Sequence, residues 1–128
     1  MNQESQKIQT FMDLRVWQEA HKFVLDIYCF TKRYPKEELF ALVTQLRRAA
    51  VSITSNIAEG FCRAGIKDKL HFYNIALASL VECQNQLLLS RDLQYIDSND
   101  YQKIFALSVS VAKMLNALIN KVKLATNY

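Results

Sequence analysis

Glycine and proline are nearly absent from this chain: it has two Gly and one Pro in 128 residues, where an average domain devotes roughly 12% of its positions to them. Tight hairpins and positive-φ turns draw on Gly, Asn and Pro. Their scarcity excludes a β-sandwich, a barrel of short strands, a Pro-rich linker protein and a Gly-rich low-complexity chain. With Gly60 and Gly65 as the whole glycine complement, neither a GxGxxG fingerprint nor a Walker-type loop can be built. The three cysteines, Cys29, Cys62 and Cys83, lack CxxC spacing. Buried or partly buried thiols are expected rather than a zinc site or a disulfide framework. No apolar run approaches the roughly 18 residues of a membrane span. Met1–Thr10 is polar and has no signal-peptide core. A cytoplasmic protein with no membrane partner is the expectation.

Acidic residues are missing from the last part of the chain. Up to Asp100 basic and acidic residues balance, and beyond it Lys103, Lys113, Lys121 and Lys123 stand without a carboxylate. The whole formal excess of +4 therefore sits in the final segment. Lysines at a helix C-terminus complement the helix dipole. The functional reading is a surface for polyanions.

Four helical segments fit what is present. Pro35 ends the first, Gly60 and Gly65 bracket a connector, and Asp97-Ser98-Asn99-Asp100 offers N-cap chemistry for the last. The segments are 13–34, 37–61, 66–94 and 98–124, between a flexible stretch 1–12 and a tail 125–128. Apolar residues recur at helical spacing in each, mostly in steps of three or four: Leu14, Trp17, Ala20, Val24, Ile27 and Tyr28; Leu39, Leu42, Leu46, Ala49, Ile53 and Ile57; Leu70, Tyr73, Leu77, Leu80, Leu87 and Leu88; Ile104, Leu107, Val111, Met114, Leu118 and Val122. Short connectors make neighbours antiparallel. The fold class is all-α, an antiparallel up-down-up-down four-helix bundle. Phe40, Val51 and Ala58, and Ile75, Ala78 and Leu89, fall away from these stripes. Scattered exposed apolar side chains are common. Apolar residues on two faces of both middle helices favour burial against a second copy.

Polar residues mark two sets. Gln45, Ser52, Asn56 and Glu59 share one arc of the second helix, as a hydrogen-bonding seam that fixes register would. Arg47 and Arg48, then Arg63, Lys67 and Lys69 around the connector, then Lys113, Lys121 and Lys123 form the basic set. Such residues contact phosphates without reading sequence, although solvated helix faces carry charges of the same kind. Catalytic patterns are missing. Glu59 and Glu82 stand alone, His21 and His71 are isolated, and no HExxH, Glu-x-x-His pair or G-x-S-x-G occurs. No metal or other cofactor is expected, and no enzyme.

These residues resemble a known family. Leu14-Arg-Val-Trp-Gln-Glu-Ala20 opens the first helix as its members do, and Tyr34-Pro35-Lys-Glu-Glu38 with Leu42 looks like their Phe-Pro-x-x-Glu-x-x-x-Leu turn. The most specific part is Gln45-Leu-Arg-Arg-Ala-Ala-x-Ser52-Ile-x-x-Asn56-Ile-Ala-Glu59-Gly60, continued by Phe72-x-x-Ile-Ala-x-Ala78-Ser79-Leu80-x-Glu82-x-x-x-Gln86-Leu87. The resemblance, over residues 12–124, is to proteins encoded by intervening sequences in bacterial 23S ribosomal RNA genes. The accessory proteins of diversity-generating retroelements look similar. One departure is Ala78, where these proteins usually have Gly. The resemblance implies a four-helix protomer in a five-fold ring, a basic surface suited to nucleic acid, and no catalytic residues. The expectation is a non-enzymatic homopentamer that binds structured RNA or RNA–DNA through Arg47, Arg48, Arg63, Lys67, Lys69, Lys113, Lys121 and Lys123. Phe40, Val51, Ile75 and Leu89 would line its subunit contacts. The alternative is a scaffold that holds a protein partner, such as a reverse transcriptase or a ribosome-associated protein.

Overall fold

The computed structural model describes residues 7–125. Within them, α1 runs Arg15–Thr31, α2 Thr44–Cys62, α3 Ile66–Asp92 and α4 Ser98–Leu124. No strand occurs among the described residues. Sequential helices pack on one another and α1 packs on α4, which closes an antiparallel four-helix bundle. Of the expected flanking segments, residues 1–6 and 126–128 lie outside the described residues. Phe11–Asp13 forms a 3-10 turn ahead of α1. There the Asp13 carboxylate accepts the backbone N–H groups of Gln9 and Thr10 at 2.9 and 3.0 Å. Those bonds hold its pKa below the usual carboxylate value.

The core follows the periodic stripes, with local shifts. Phe23, Ile27, Leu46, Ile53, Ile57, Leu80, Leu87, Ile104, Val111 and Leu115 are fully buried. In α4 the buried row is Ile104, Ser108, Val111, Leu115 and Ile119. Leu107, Met114, Leu118 and Val122, expected to face inward, are only half-buried beside it. The reason is polar: Ser108 is drawn inward because its hydroxyl donates to the Phe105 carbonyl at 2.6 Å and accepts from Gln84 of α3 at 3.0 Å. Helix α4 is also long and apolar enough to cross a membrane by length and composition, with a mean hydropathy of 1.2. The absence of an unbroken apolar run in the sequence did not register this. In the bundle its apolar row packs against α1 and α3.

Helix two does not start as a plain α-helix. Residues Lys36–Glu38 form a 3-10 turn and Leu39–Val43 a π-helical turn before α2. Side chains compete with the regular ladder here. The Glu38 carboxylate accepts the Leu42 N–H, and the Thr44 hydroxyl donates to the Leu39 carbonyl. The wide turn leaves Leu39, expected in the core stripe, 44% exposed and Phe40 91% exposed. The other end of α2 meets α3 at Gly60. A Cβ there would lie 2.6 Å from Cε1 of the Tyr73 ring, which is itself buried. Glycine is needed for this approach, not for a special backbone angle.

The α3–α4 connection contains no glycine. Its left-handed residue is Gln94, at φ 63°. The Tyr95 N–H bonds to the Ser90 carbonyl and the Gln94 N–H to Arg91, which is the Schellman pattern. Asp97 then caps α4, its carboxylate accepting the Asp100 N–H at 2.8 Å. The cysteines only partly follow expectation. Cys83 is buried, and burial pushes its thiol up to about 12. Cys29 and Cys62 are exposed, because α1 turns Cys29 away from its inner face and Cys62 is the last residue of α2.

Two substitutions test these connections. Gly60→Ala gains up to about 1 kcal/mol of helix propensity and loses about 1–3 kcal/mol by overpacking Tyr73, so urea unfolding should show a net loss. Gln94→Gly relieves a left-handed side chain and should raise stability by roughly 1 kcal/mol in the same measurement.

Candidate functional site

The bundle sorts its charges along its long axis. One end gathers the start of α1, the α2–α3 turn and the end of α4, whose residues Leu14, Phe61, Ile66 and Val122 line one cleft. Among the described residues, Lys7, Arg15, Arg63, Lys67, Lys69, Lys121 and Lys123 lie at this end, with Asp13, Glu59 and Asp68 as carboxylates. Asp13 is engaged by backbone N–H groups. Glu59 pairs with Arg63 at 2.8 Å. Two of the basic residues have structural work as well. The Lys69 ammonium donates to the last carbonyls of α2, Phe61 at 2.8 Å and Gly60 at 3.2 Å. The Arg63 guanidinium lies 4.8 Å from the centre of the Phe72 ring. Lys67 and Lys121 are exposed.

The opposite end is built differently. Arg33 pairs with Asp100 at 3.5 Å, the Tyr95 hydroxyl donates to Glu38 at 2.8 Å, and Arg91 contacts Asp92 at 3.0 Å. Arg47 and Arg48, in the first turns of α2, stand toward this end. Arg47 is half-buried and committed to α1. Its Nε donates to the Thr31 hydroxyl at 2.9 Å, its Nη2 to the Tyr28 carbonyl at 3.4 Å, and its guanidinium covers the Tyr28 ring at 4.7 Å. The Thr31 hydroxyl in turn donates to the Ile27 carbonyl at 2.6 Å. Arg47 thus ties α1 to α2. Arg48 is exposed, and Lys113 is exposed partway along α4. The eight basic residues do not form one surface. Arg63, Lys67, Lys69, Lys121 and Lys123 come together, and Arg47, Arg48 and Lys113 lie elsewhere.

The polar set of α2 also divides. The Ser52 and Ser79 hydroxyls meet at 2.8 Å, and Asn56 Nδ2 donates to the Ser52 carbonyl at 2.8 Å and its hydroxyl at 3.0 Å. Gln45 and Glu59 are exposed, so the seam narrows to Ser52, Asn56 and Ser79. Seven-residue spacing places Gln45 and Ser52 on one edge of α2, but that edge borders a surface groove. The groove, about 640 Å³, runs between α2 and α3 and is lined by Phe40, Gln45, Arg48, Ser52, Ser79 and Glu82 among others. Ser79 and Glu82 face it from α3, and their three-residue spacing was the available signal for that placement. Elsewhere on α2 and α3, Val51, Val81 and Leu89 are 39%, 55% and 47% exposed. Ile75, expected on this outer face, is half-buried, because it neighbours the buried Ala76 row.

Among the described residues, no three His, Cys, Asp or Glu side chains gather as metal ligands. His21 stacks on Trp17, ring centres 4.7 Å apart. The geometry offers a cationic end and a charge-balanced groove.

Four antiparallel helices carrying these two surfaces define a small helical-bundle protein. The pattern of the 23S rRNA-intervening sequence proteins matches residues 12–117, and the chain belongs to that family. Its fold is similar to the crystal structure of a protein of unknown function from the S23 ribosomal protein family of Bacteroides thetaiotaomicron. The TM-score is 0.75 with 25% identity, over 82% of this chain and 95% of that one. No curated protein matches the chain.

The two neighbouring arginines should separate cleanly. Arg47→Met removes charged hydrogen bonds between α1 and α2 and should cost about 1–2 kcal/mol, read by urea unfolding. Arg48→Ala should stay within about 0.5 kcal/mol.

Proposed function

We propose that this is a non-enzymatic, homo-oligomeric protein that binds nucleic acid through the cationic end of its bundle. The observation that carries the reading is the charge partition: among the described residues, seven basic residues and three carboxylates share one end. Two of those carboxylates are already engaged by neighbouring groups. Phosphate contacts by Lys67, Lys121 and Lys123 would give affinity without base reading.

Assembly makes this modest charge effective. The α2–α3 groove has one arginine and one glutamate, which suits a protein surface better than a polyanion. Phe40, 91% exposed, lines it, and Val51, Val81 and Leu89 leave further apolar area on the sides of α2 and α3. Contacts along the sides of the bundle, repeated around a cyclic axis, would bring the cationic ends onto one face of a ring. A five-membered ring would then multiply the +4 of each chain fivefold.

Light scattering should return about five times 14.8 kDa. Phe40→Asp, a change at an exposed site, should reduce this to one chain. RNA affinity should fall steeply with salt, and Lys67→Glu with Lys121→Glu should weaken it while leaving the mass unchanged. Equal, negligible retention of RNA and of a neutral polymer at low salt would refute nucleic-acid binding.

A further inference from the structure

The cationic end contains an apolar cleft that charge alone does not require. Its volume is about 410 Å³, and its walls include Ile8, Leu14, Phe61, Ile66, Leu118 and Val122. Lys69 and Lys121 are its charged lining residues, and no carboxylate lines it. The volume falls within the roughly 300–1,000 Å³ of small-ligand pockets. Residues of α2, α3 and α4 line it together with Ile8 and Leu14 ahead of α1, so its shape is set largely by the packing of three helices.

We propose that this cleft seats one unstacked base of a single-stranded nucleic acid, with the adjoining phosphates on the surrounding lysines. This rests on the nucleic-acid reading above and adds where and how the strand is held. The argument is complementarity. A nucleotide has a flat, largely apolar body joined to an anion, and the cleft pairs aromatic and aliphatic walls with cations. Phe61, half-buried in α2, supplies the aromatic face, and Leu118 and Val122 of α4 supply aliphatic walls. The Lys69 ammonium is held by the Gly60 and Phe61 carbonyls, so it stiffens the site. Exposed Lys121 and Lys67 are placed to meet phosphates on either side. A cationic track with an aromatic platform is how single strands are bound without sequence preference. A duplex keeps its bases stacked and would engage only the lysines.

The test compares a single-stranded oligonucleotide of about 12 units with the same strand carrying stable abasic units. Wild-type protein should bind the base-bearing strand at least about 5-fold more tightly, the lower end of what one stacked base contributes. Phe61→Leu, which keeps apolar volume and loses the flat face, should erase that preference while leaving abasic binding and its salt dependence unchanged. A 2-aminopurine base in the strand should lose fluorescence on binding wild-type protein, a readout that needs no variant. Equal, salt-dependent binding of both strands by wild type, with undimmed 2-aminopurine, would overturn the cleft proposal and leave the cationic surface standing. Failure of both strands to bind at low salt would overturn the two together. A base preference that survives in Phe61→Leu would remove the base from this cleft.

Discussion

The contact on which the structure turns is the close approach of α2 and α3 at Gly60. The Tyr73 ring occupies the space that a side chain at residue 60 would fill. With the helices this close, short polar side chains reach across: Ser52 meets Ser79 further along the pair. The same approach lets Lys69 fold back onto the final carbonyls of α2. Carbonyls of a last turn lack the regular helical partner, and Gly60 otherwise has only the Arg63 N–H at 3.3 Å, so the lysine is a cap as well as a charge. Close packing at the turn is therefore also what concentrates Arg63, Lys67 and Lys69.

Charge separation follows from the up-down topology. Residues far apart in the chain share an end because each helix returns the chain to it. The lysines that close α4 thus stand beside those that open α3, although more than fifty residues separate Lys67 from Lys121. Acidic residues near Asp97 and Asp100 are carried to the opposite end, where Arg33 meets Asp100. Both ends hold an ion pair, Glu59 with Arg63 at one and Arg33 with Asp100 at the other, and the ends differ in how many carboxylates accompany their basic residues. The side groove differs in kind, since Arg48 and Glu82 balance there and Phe40 borders it. Two surfaces of distinct chemistry, one lateral and one terminal, can serve assembly and ligand binding without competing.

Helix α3 shows why periodicity alone misjudges such a protein. It buries Tyr73, Ala76, Leu80, Cys83 and Leu87, yet leaves Val81 and Leu89 in the open. The apolar stripe of an isolated bundle helix is narrower than this. Local chemistry explains the other departures. Ser108 turns α4 because it satisfies two neighbours. The Glu38 and Thr44 side chains distort the entrance to α2, which no count of apolar residues registers. Arg47 looked like a surface cation beside Arg48, but its partners are Thr31 and Tyr28 of another helix.

Gly60, expected at the edge of a connector, lies inside α2 and serves the approach of Tyr73, whereas four helices, their order and most of the buried stripes were readable from residue spacing and the rarity of Gly and Pro. These are local properties: a helix needs a repeat near 3.6 and an end signal, both written in adjacent residues. Family membership was readable for the same reason, through the motif ending at Gly60. The roles of individual charges were not. Whether an arginine bridges helices, caps carbonyls or faces solvent depends on groups brought near it by folding, and Arg47, Lys69 and Lys121 are alike in sequence terms. Only packing distributed them among a helix–helix tie, a cap and an exposed end, and only packing closed the cleft between Phe61 and Leu118.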